Sequence, residues 1–358
     1  MSSKTNKTLA VTGIQELTLV EENLEPLNEG EVRIRVGYVG ICGSDIPRYF
    51  DGAVHSFPQV LGHEFSGVIE EIGPDTEIRG GLAVGYNVVV APLVPCHECE
   101  RCKAGNPSLC PNYSFIGSRQ QGAMADYVVV PAVNVLSSED LPLDIAALVE
   151  PLTVALHGIS MAEIDPKKPA LVLGCGVIGL MTVISLKACG VQKIIVADLK
   201  DKALETATEF GATQTINSRD QDLLETLDPS NLPGLVVETA CAPITRTQAL
   251  YAAAKKATVV LIGTPTRDWT LSIKDYEQIL RRELTLNGSW MSYSNPFPGE
   301  EWHEAVRILS GLKDTARKLI SHTFDLSEVA SGFDVIKDPE IENLKIMFKV
   351  APDGVEQP

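Results

Sequence analysis

Residues 171–198 read LVLGCGVIGLMTVISLKACGVQKIIVAD. Leu171-Val172-Leu173 is an apolar run short enough for a buried parallel strand, and Gly174-Cys175-Gly176-Val177-Ile178-Gly179 follows it directly. An apolar segment of helical length comes next, and a second run, Lys193-Ile194-Ile195-Val196-Ala197, ends in Asp198. Strand, glycine turn, helix and second strand make one βαβ unit with a dinucleotide fingerprint. Gly174 makes the tight turn, Gly176 lets the backbone approach a pyrophosphate, and Gly179 lets helix and strand pack closely. Val177 and Ile178 open the helix, whose free N–H groups and positive dipole end suit phosphates. Asp198 lies 19 residues after Gly179, near the spacing of a carboxylate that holds a ribose 2′-OH. Its charge repels a 2′-phosphate, which favours NAD over NADP. The rival reading is a glycine-rich turn in an unrelated βαβ unit, and the acid at its proper spacing weighs against it.

The same rhythm continues beyond Asp198. DKALETATEFG reads as a helix, 212–217 as a strand, about 219–227 as a helix, 235–239 as a strand, TQALYAAAKKA as a helix, and 258–263 and 285–289 as strands. Strands alternating with helices predict a doubly wound parallel sheet of the Rossmann kind over residues 160–293. Asn295-Pro296-Phe297-Pro298-Gly299 breaks the pattern. Two helical stretches, EEWHEAVRILSG and LSEVASGFDVIK, and one strand, LKIMFKVAP, follow. They are too little for a domain, so residues 294–358 are expected to rejoin residues 1–159. That first half opens with alternating segments, TLAVTG, QELTLVEE and EVRIRVGYVG, which suggest a barrel-like β start. Leu141 to Ser160 reads as helical.

At 358 residues, with 44% hydrophobic and 22% charged side chains, the chain suits two globular domains. A net charge of −17 argues against nucleic acid and anionic membrane surfaces as partners. No apolar run approaches the roughly 18–20 residues of a membrane span, and the first residues have no apolar signal core, so a cytoplasmic location is expected. Eight cysteines without a secretory signal, four of them within 15 residues, point to metal rather than a disulfide framework.

Those four are Cys96, Cys99, Cys102 and Cys110, spaced C-x2-C-x2-C-x7-C. Four thiolates so close can wrap one tetrahedral ion, and such a closed site makes zinc structural. An iron–sulfur cluster is the alternative, which Cys110-Pro111 keeps open. His97, inside the loop, reads as solvated. Cys42, in Cys42-Gly43-Ser44-Asp45, and His63, in Gly62-His63-Glu64, are zinc-ligand types, although each alone is more simply a core thiol and an ordinary polar residue. Glu150, before Pro151, sits among apolar residues, where a carboxylate is costly unless paired or bound to metal. His157 reads as a packed or capping histidine.

Together these segments resemble the zinc-dependent medium-chain alcohol and polyol dehydrogenases, over essentially the whole chain. The carriers are Cys42-Gly-Ser-Asp45, Gly62-His-Glu64 with Gly67, the four cysteines, Glu150-Pro151 and Gly174-x-Gly-x-x-Gly179. Leu61-Gly-His-Glu-Phe-Ser-Gly67, Phe115-Ile-Gly-Ser-Arg119, Gly288-Ser-Trp-Met-Ser-Tyr-Ser294 and Pro298-Gly-x-Glu-Trp302 resemble most the branch acting on galactitol 1-phosphate. The resemblance implies a GroES-like β-barrel catalytic domain (1–159 and 294–358, with a zinc lobe about 94–112) and a Rossmann NAD-binding domain (160–293). It implies two zinc ions per subunit: a catalytic one on Cys42, His63 and Glu150, with Glu64 as a neighbouring or exchangeable ligand, and a structural one on the four cysteines. Ser44 resembles the hydroxyl that relays the substrate proton. Thr239, Gly263 and Ser289 fall where the family lines its cofactor.

The implied reaction is reversible NAD-dependent oxidation of a polyol phosphate to a ketose phosphate, with Arg119 and Arg48 as candidates for the phosphate. Their plainer readings are a structural hydrogen-bonder and a surface residue. Arabinitol phosphate, sorbitol or threonine are alternative substrates, and a non-catalytic NAD(H)-sensing zinc protein is the alternative of another class. A homodimer is expected, with a homotetramer as the alternative. The chain departs from the family pattern at Ala203, where Lys or Arg is frequent, at Gly85-Tyr86-Asn87-Val88, and at Met291-Ser292, near which sorbitol dehydrogenase-like members carry an arginine.

Overall fold

Six parallel strands, in the order Gln214–Asn217, Ile194–Asp198, Ala170–Leu173, Leu235–Glu238, Thr258–Leu261 and Thr285–Gly288, form one sheet. The order runs outward in both directions from Ala170–Leu173. Right-handed crossovers therefore place helices on both faces, and the switch point lies beside the glycine turn. The computed structural model describes residues 4–350. The chain divides into two compact units, and this sheet belongs to the unit Pro151–Ser292. Its central strands are fully buried and rich in Val, Ile and Leu, as a sheet covered on both faces requires. Helix Val177–Ala188 packs on the first two of those strands, and Pro243–Ala252 packs on Leu235–Glu238 and Thr258–Leu261.

The other unit comprises Met1–Glu150 and Tyr293–Pro358. Its main sheet runs Val135–Ser137, Asn87–Val90, Glu64–Ile72, Glu31–Gly40, Lys345–Lys349, Ile320–Asp325, with Tyr127–Pro131 also on Glu31–Gly40. Glu16–Asn23, Thr5–Gly13 and Gln59–Val60 form a second, three-stranded sheet. Val32, Ile34, Val36, Val39, Phe65 and Phe348 are among the side chains that fill the core. The two sheets make the GroES-like barrel of this unit. Strand Lys345–Lys349 enters it by pairing antiparallel with Glu31–Gly40.

Several elements differ from the sequence reading. Helix Ile273–Arg282 was not anticipated; none of its side chains is fully buried. Its start is nevertheless written locally: Ser272 and Asp275 form a reciprocal capping box. Strand Ile320–Asp325 was also missed; its residues alternate only between half-buried and exposed. The helix expected near 219–227 is reduced to Leu223–Thr226, where the Asp222 carboxylate caps the N–H groups of Leu224 and Glu225. The helix expected over 247–257 starts earlier, with Pro243 at its first turn, where a missing N–H costs nothing. Leu143–Ser160 corrects the expectation that no run reaches membrane-span length: it passes on length and apolarity, but 67% of it is buried within the protein. It is also split into helices Leu143–Ala146 and Val149–Ser160, the second carrying Glu150.

Candidate functional site

Strand Glu31–Gly40 ends two residues before Cys42, and strand Glu64–Ile72 begins directly after His63. Their antiparallel register sets Gly40 against Glu64, which brings the two motifs together. The ligand atoms of Cys42, His63 and Glu64 lie within 4.8 Å of one another. His63 is buried; its Nδ1 has no hydrogen-bond partner among the described residues and faces Asp45 Oδ1 at 3.7 Å. Glu150 is buried in the first turn of Val149–Ser160, and Glu64 and Cys42 both act on its charge, as does His63.

Burial pushes the Glu150 carboxyl up to about 8, with Glu64 and Cys42 adding to the rise and His63 opposing it. Burial likewise pushes the Cys42 thiol up to about 11, helped by Glu64 and Asp45. Without a cation, then, these groups hold their protons at neutral pH. A thiol, an imidazole with an unpartnered buried nitrogen and two carboxyls form a donor set that fits zinc, which would take the place of those protons.

Ser44 and Arg48 follow on the short helix Asp45–Phe50 and the turn before it. The Ser44 hydroxyl lies at the exposed side of the cluster. Arg48 donates to Ser44 Oγ (3.1 Å), Asp45 Oδ1 (2.8 Å) and Ser118 Oγ (3.0 Å). Asp45 is fully buried, and its other oxygen accepts from the Cys42 N–H at 3.0 Å. Phe115 stands edge-on to the His63 ring, with centroids 5.5 Å apart. Arg119, four residues on, is exposed and lies 4.5 Å over the Tyr113 ring.

The four cysteines also converge, their sulfurs within 4.8 Å of one another. Backbone N–H groups already point at them: Cys99 N–H at Cys96 Sγ and Cys102 N–H at Cys99 Sγ, both 3.4 Å. Donation from the Glu98 and Cys99 N–H groups pulls Cys96 down to about 6, while burial pushes Cys102 up to about 12. Tyr293 anchors the lobe's base: its hydroxyl accepts from the Leu93 N–H, and its backbone carbonyl accepts from Ser108 Oγ. His97 is exposed and packs edge-on to Phe297.

In the other unit, Gly174 takes φ +96° and Gly179 fits only as glycine, since a Cβ there would stand 2.0 Å from the Gly174 carbonyl oxygen. At Gly176 a Cβ would meet nothing within 4 Å, so the surface is open where a pyrophosphate needs backbone. Gly176 caps helix Val177–Ala188 without a side-chain bond, leaving the N–H groups of the first turn for a ligand. Asp198 accepts from the Cys175 N–H through Oδ2 and from Leu199 and Lys200 through Oδ1. Thr239 Oγ1 is shared between the carbonyls of Leu173 and Gly174. Gly263 is crowded by Cys241 Sγ, and Ser289 Oγ is buried without a hydrogen-bond partner. The turn, the helix terminus and the carboxylate fit a dinucleotide.

Sequence reasoning missed Lys345. It is buried on strand Lys345–Lys349 and donates to Glu64 and to the Ile41 carbonyl. A lysine directly before the apolar run Ile346-Met347-Phe348 was the available signal. It also missed Glu238, fully buried at the end of its strand, which accepts from Thr245 Oγ1 at 2.7 Å.

Two family models match the chain: an alcohol dehydrogenase GroES-like domain over residues 28–140 and a zinc-binding dehydrogenase over 177–311. Galactitol 1-phosphate 5-dehydrogenase of Escherichia coli K12 is 37% identical, covering 90% of this chain and 92% of that protein. The crystal structure of galactitol-1-phosphate dehydrogenase from Escherichia coli superposes with a TM-score of 0.88 at 34% identity, covering 96% of this chain and 99% of that one. An alcohol dehydrogenase from E. coli CFT073, complexed with NADH, superposes with a TM-score of 0.87 at 30% identity, covering 97% and 100%.

Proposed function

Because the chain belongs to the zinc-dependent medium-chain alcohol dehydrogenase family, we propose that it catalyses the reversible, NAD-dependent oxidation of a secondary alcohol on a polyol phosphate resembling galactitol 1-phosphate. The observation that carries this reading is the close group of half-buried Cys42 and buried His63 and Glu64, with exposed Ser44 beside it. Cys42, His63 and Glu150 would hold a catalytic zinc ion, with Glu64 as a neighbouring or exchangeable ligand, and Cys96, Cys99, Cys102 and Cys110 would hold a structural one. Bound there, zinc would supply Lewis acidity at the substrate hydroxyl and NAD would supply hydride-accepting capacity.

The chain's own residues do the rest. Ser44 takes the proton of the substrate hydroxyl and passes its own to water. Asp45, behind His63, orients the imidazole. Gly174, Gly176 and Gly179, with the N–H groups of Val177 and Ile178, seat the pyrophosphate. Asp198 holds the ribose diol, which favours NAD, in line with the NADH of the E. coli CFT073 relative. Thr239 fixes the turn, and Gly263 and Ser289 line the nicotinamide side. Of the two arginines expected for the substrate phosphate, Arg119, exposed and free of any carboxylate partner among the described residues, is the candidate, whereas the donors of Arg48 are taken up by Ser44, Asp45 and Ser118. The edge strand Thr285–Gly288 supports a homodimer joined by sheet extension, with a homotetramer as the alternative. The reduced thiols suit the cytoplasm.

The test is NADH formation by zinc-replete protein with galactitol 1-phosphate, galactitol and sorbitol at equal concentration. A strong preference for the phosphate ester supports the reading. Equal or better rates on free polyols move the enzyme to a sorbitol-type substrate, and no turnover with these or with threonine favours a sensor.

A further inference from the structure

We infer that Arg48 is a positioning residue for proton transfer, setting the orientation of the Ser44 hydroxyl, and is not a ligand for the substrate's phosphate. The inference rests on the reading above that Ser44 relays the substrate proton. A guanidinium can only donate, and a serine hydroxyl has one O–H and two lone pairs. Arg48 Nη1 donates to Ser44 Oγ at 3.1 Å, so one lone pair of that oxygen is occupied. The Ser44 O–H is thereby turned away from Arg48. One lone pair remains for the substrate's hydroxyl proton, and the Ser44 O–H is left to the side away from Arg48, where the Cys42 sulfur is within its reach. As the substrate's proton arrives on Oγ, the original serine proton leaves to water, and the count is balanced.

The rest of the guanidinium fixes Arg48 itself. Its other Nη1 proton goes to Asp45 Oδ1 at 2.8 Å, and Nη2 donates to Ser118 Oγ at 3.0 Å. Three donors are therefore committed on three different groups, two of them in the segment that begins with Cys42. Asp45 is fully buried and Ser118 is buried, so neither anchor swings with solvent. The Arg48 side chain is 16% exposed, which gives a bulky phosphate little access to the planar fork it would need. Ser118 also ties this fork to the 115–119 loop, whose Phe115 packs on His63.

The test is a double-mutant cycle between Ser44→Ala and Arg48→Lys, with kcat and KM measured on the best phosphorylated and unphosphorylated polyols and with bound zinc measured in each variant. Lysine keeps a positive charge beside buried Asp45 but cannot serve all three partners. Arg48→Lys is expected to lower kcat on the order of tenfold to a hundredfold on both substrates. KM is expected to stay within about twofold and zinc content to stay unchanged. In the Ser44→Ala background Arg48→Lys is expected to have no further effect on kcat. The inference is overturned if the two losses multiply, if Arg48→Lys raises KM for the phosphate ester while kcat stands, or if zinc is lost. If Ser44→Ala alone keeps the parent kcat, the relay reading fails first and this inference fails with it. A slow Ser44→Ala with multiplying losses sinks the inference alone.

Discussion

Lys345 and Glu64 form a buried ion pair, the lysine ammonium donating to the carboxylate and, at 3.0 Å, to the Ile41 carbonyl. Burial alone pulls the lysine's pKa down; Glu64 and Cys42 more than offset this, and the ammonium stays charged. A fixed cation thus stands behind the metal-ligand cluster and balances part of its negative charge. On the zinc reading proposed above, it would compete with the metal ion for Glu64.

Removing this cation leaves Glu64 buried and unpaired. Lys345→Met is expected to lower unfolding stability by about 3–5 kcal/mol, the usual cost of orphaning one member of a buried pair. Denaturant unfolding of the zinc-loaded protein measures this. A loss below about 1 kcal/mol would show that Glu64 finds compensation elsewhere.

Cys42→Ser is expected to abolish turnover while NADH binding, followed by fluorescence, stays near the parent value. Near-normal activity would sink the catalytic-zinc assignment. Glu150→Gln and Glu64→Gln, compared for zinc content, separate the ligand from its neighbour: the true ligand is the one whose loss empties the site.

The metal-free protein is expected to lose stability as pH rises. Glu150 is raised from 4.5 to about 8 by burial. A carboxyl whose folded pKa is raised favours the native state below its unfolded pKa, and that contribution disappears as pH climbs through about 8. Zinc-stripped protein therefore melts progressively lower from about pH 5 to 8.5, and Glu150→Gln flattens the slope. Zinc binding displaces the Cys42 and Glu150 protons, so affinity falls as pH drops. Calorimetry in buffers of different ionisation enthalpy counts the released protons, and zinc binding without proton release would refute the assignment.

Asp198→Ala is expected to weaken NADH binding roughly tenfold to a hundredfold, the worth of a charge-assisted hydrogen bond, and to narrow the preference over NADPH. Asp198 also holds the N–H groups of Cys175, Leu199 and Lys200, so part of the loss is a loosened turn. Unchanged selectivity between the two cofactors would mean that another residue reads the ribose.

Metal analysis of Cys102→Ser is expected to show one zinc ion per chain where the parent has two, with a lower melting temperature and kcat less affected than stability. Iron with visible charge-transfer absorption in the parent would replace the zinc reading of the lobe.

Much of this was legible because local rules and global needs agree at those residues. The turn at Gly174 and the crowding at Gly179 can be read from spacing alone, since only glycine fits there. The cysteine lobe is equally local. Ile273–Arg282 was readable but missed: Ile273, Tyr276, Ile279 and Leu280 fall at helical spacing behind the Ser272 capping box, although none of its side chains is fully buried. Lys345 lay beyond reach for a different reason: its meaning depends on a carboxylate 281 positions away, and a lysine at one end of Lys-Ile-Met-Phe-Lys does not name its partner. Arg48 could be picked out as a candidate, but its partners Ser44, Asp45 and Ser118 come together only when the 115–119 loop is in place.

The pairing of Lys345–Lys349 with Glu31–Gly40 has a consequence for synthesis on the ribosome. A nascent chain carries Cys42, His63 and Glu64 long before it carries Lys345, 304 residues after Ile41. Until then the cluster lacks its opposing cation and the barrel lacks a strand. A chain cut short between Glu150 and Lys345 contains Cys42, His63, Glu64, Glu150 and the four cysteines, yet it lacks the ammonium that balances Glu64, so a truncated product is expected to bind metal poorly at the first cluster.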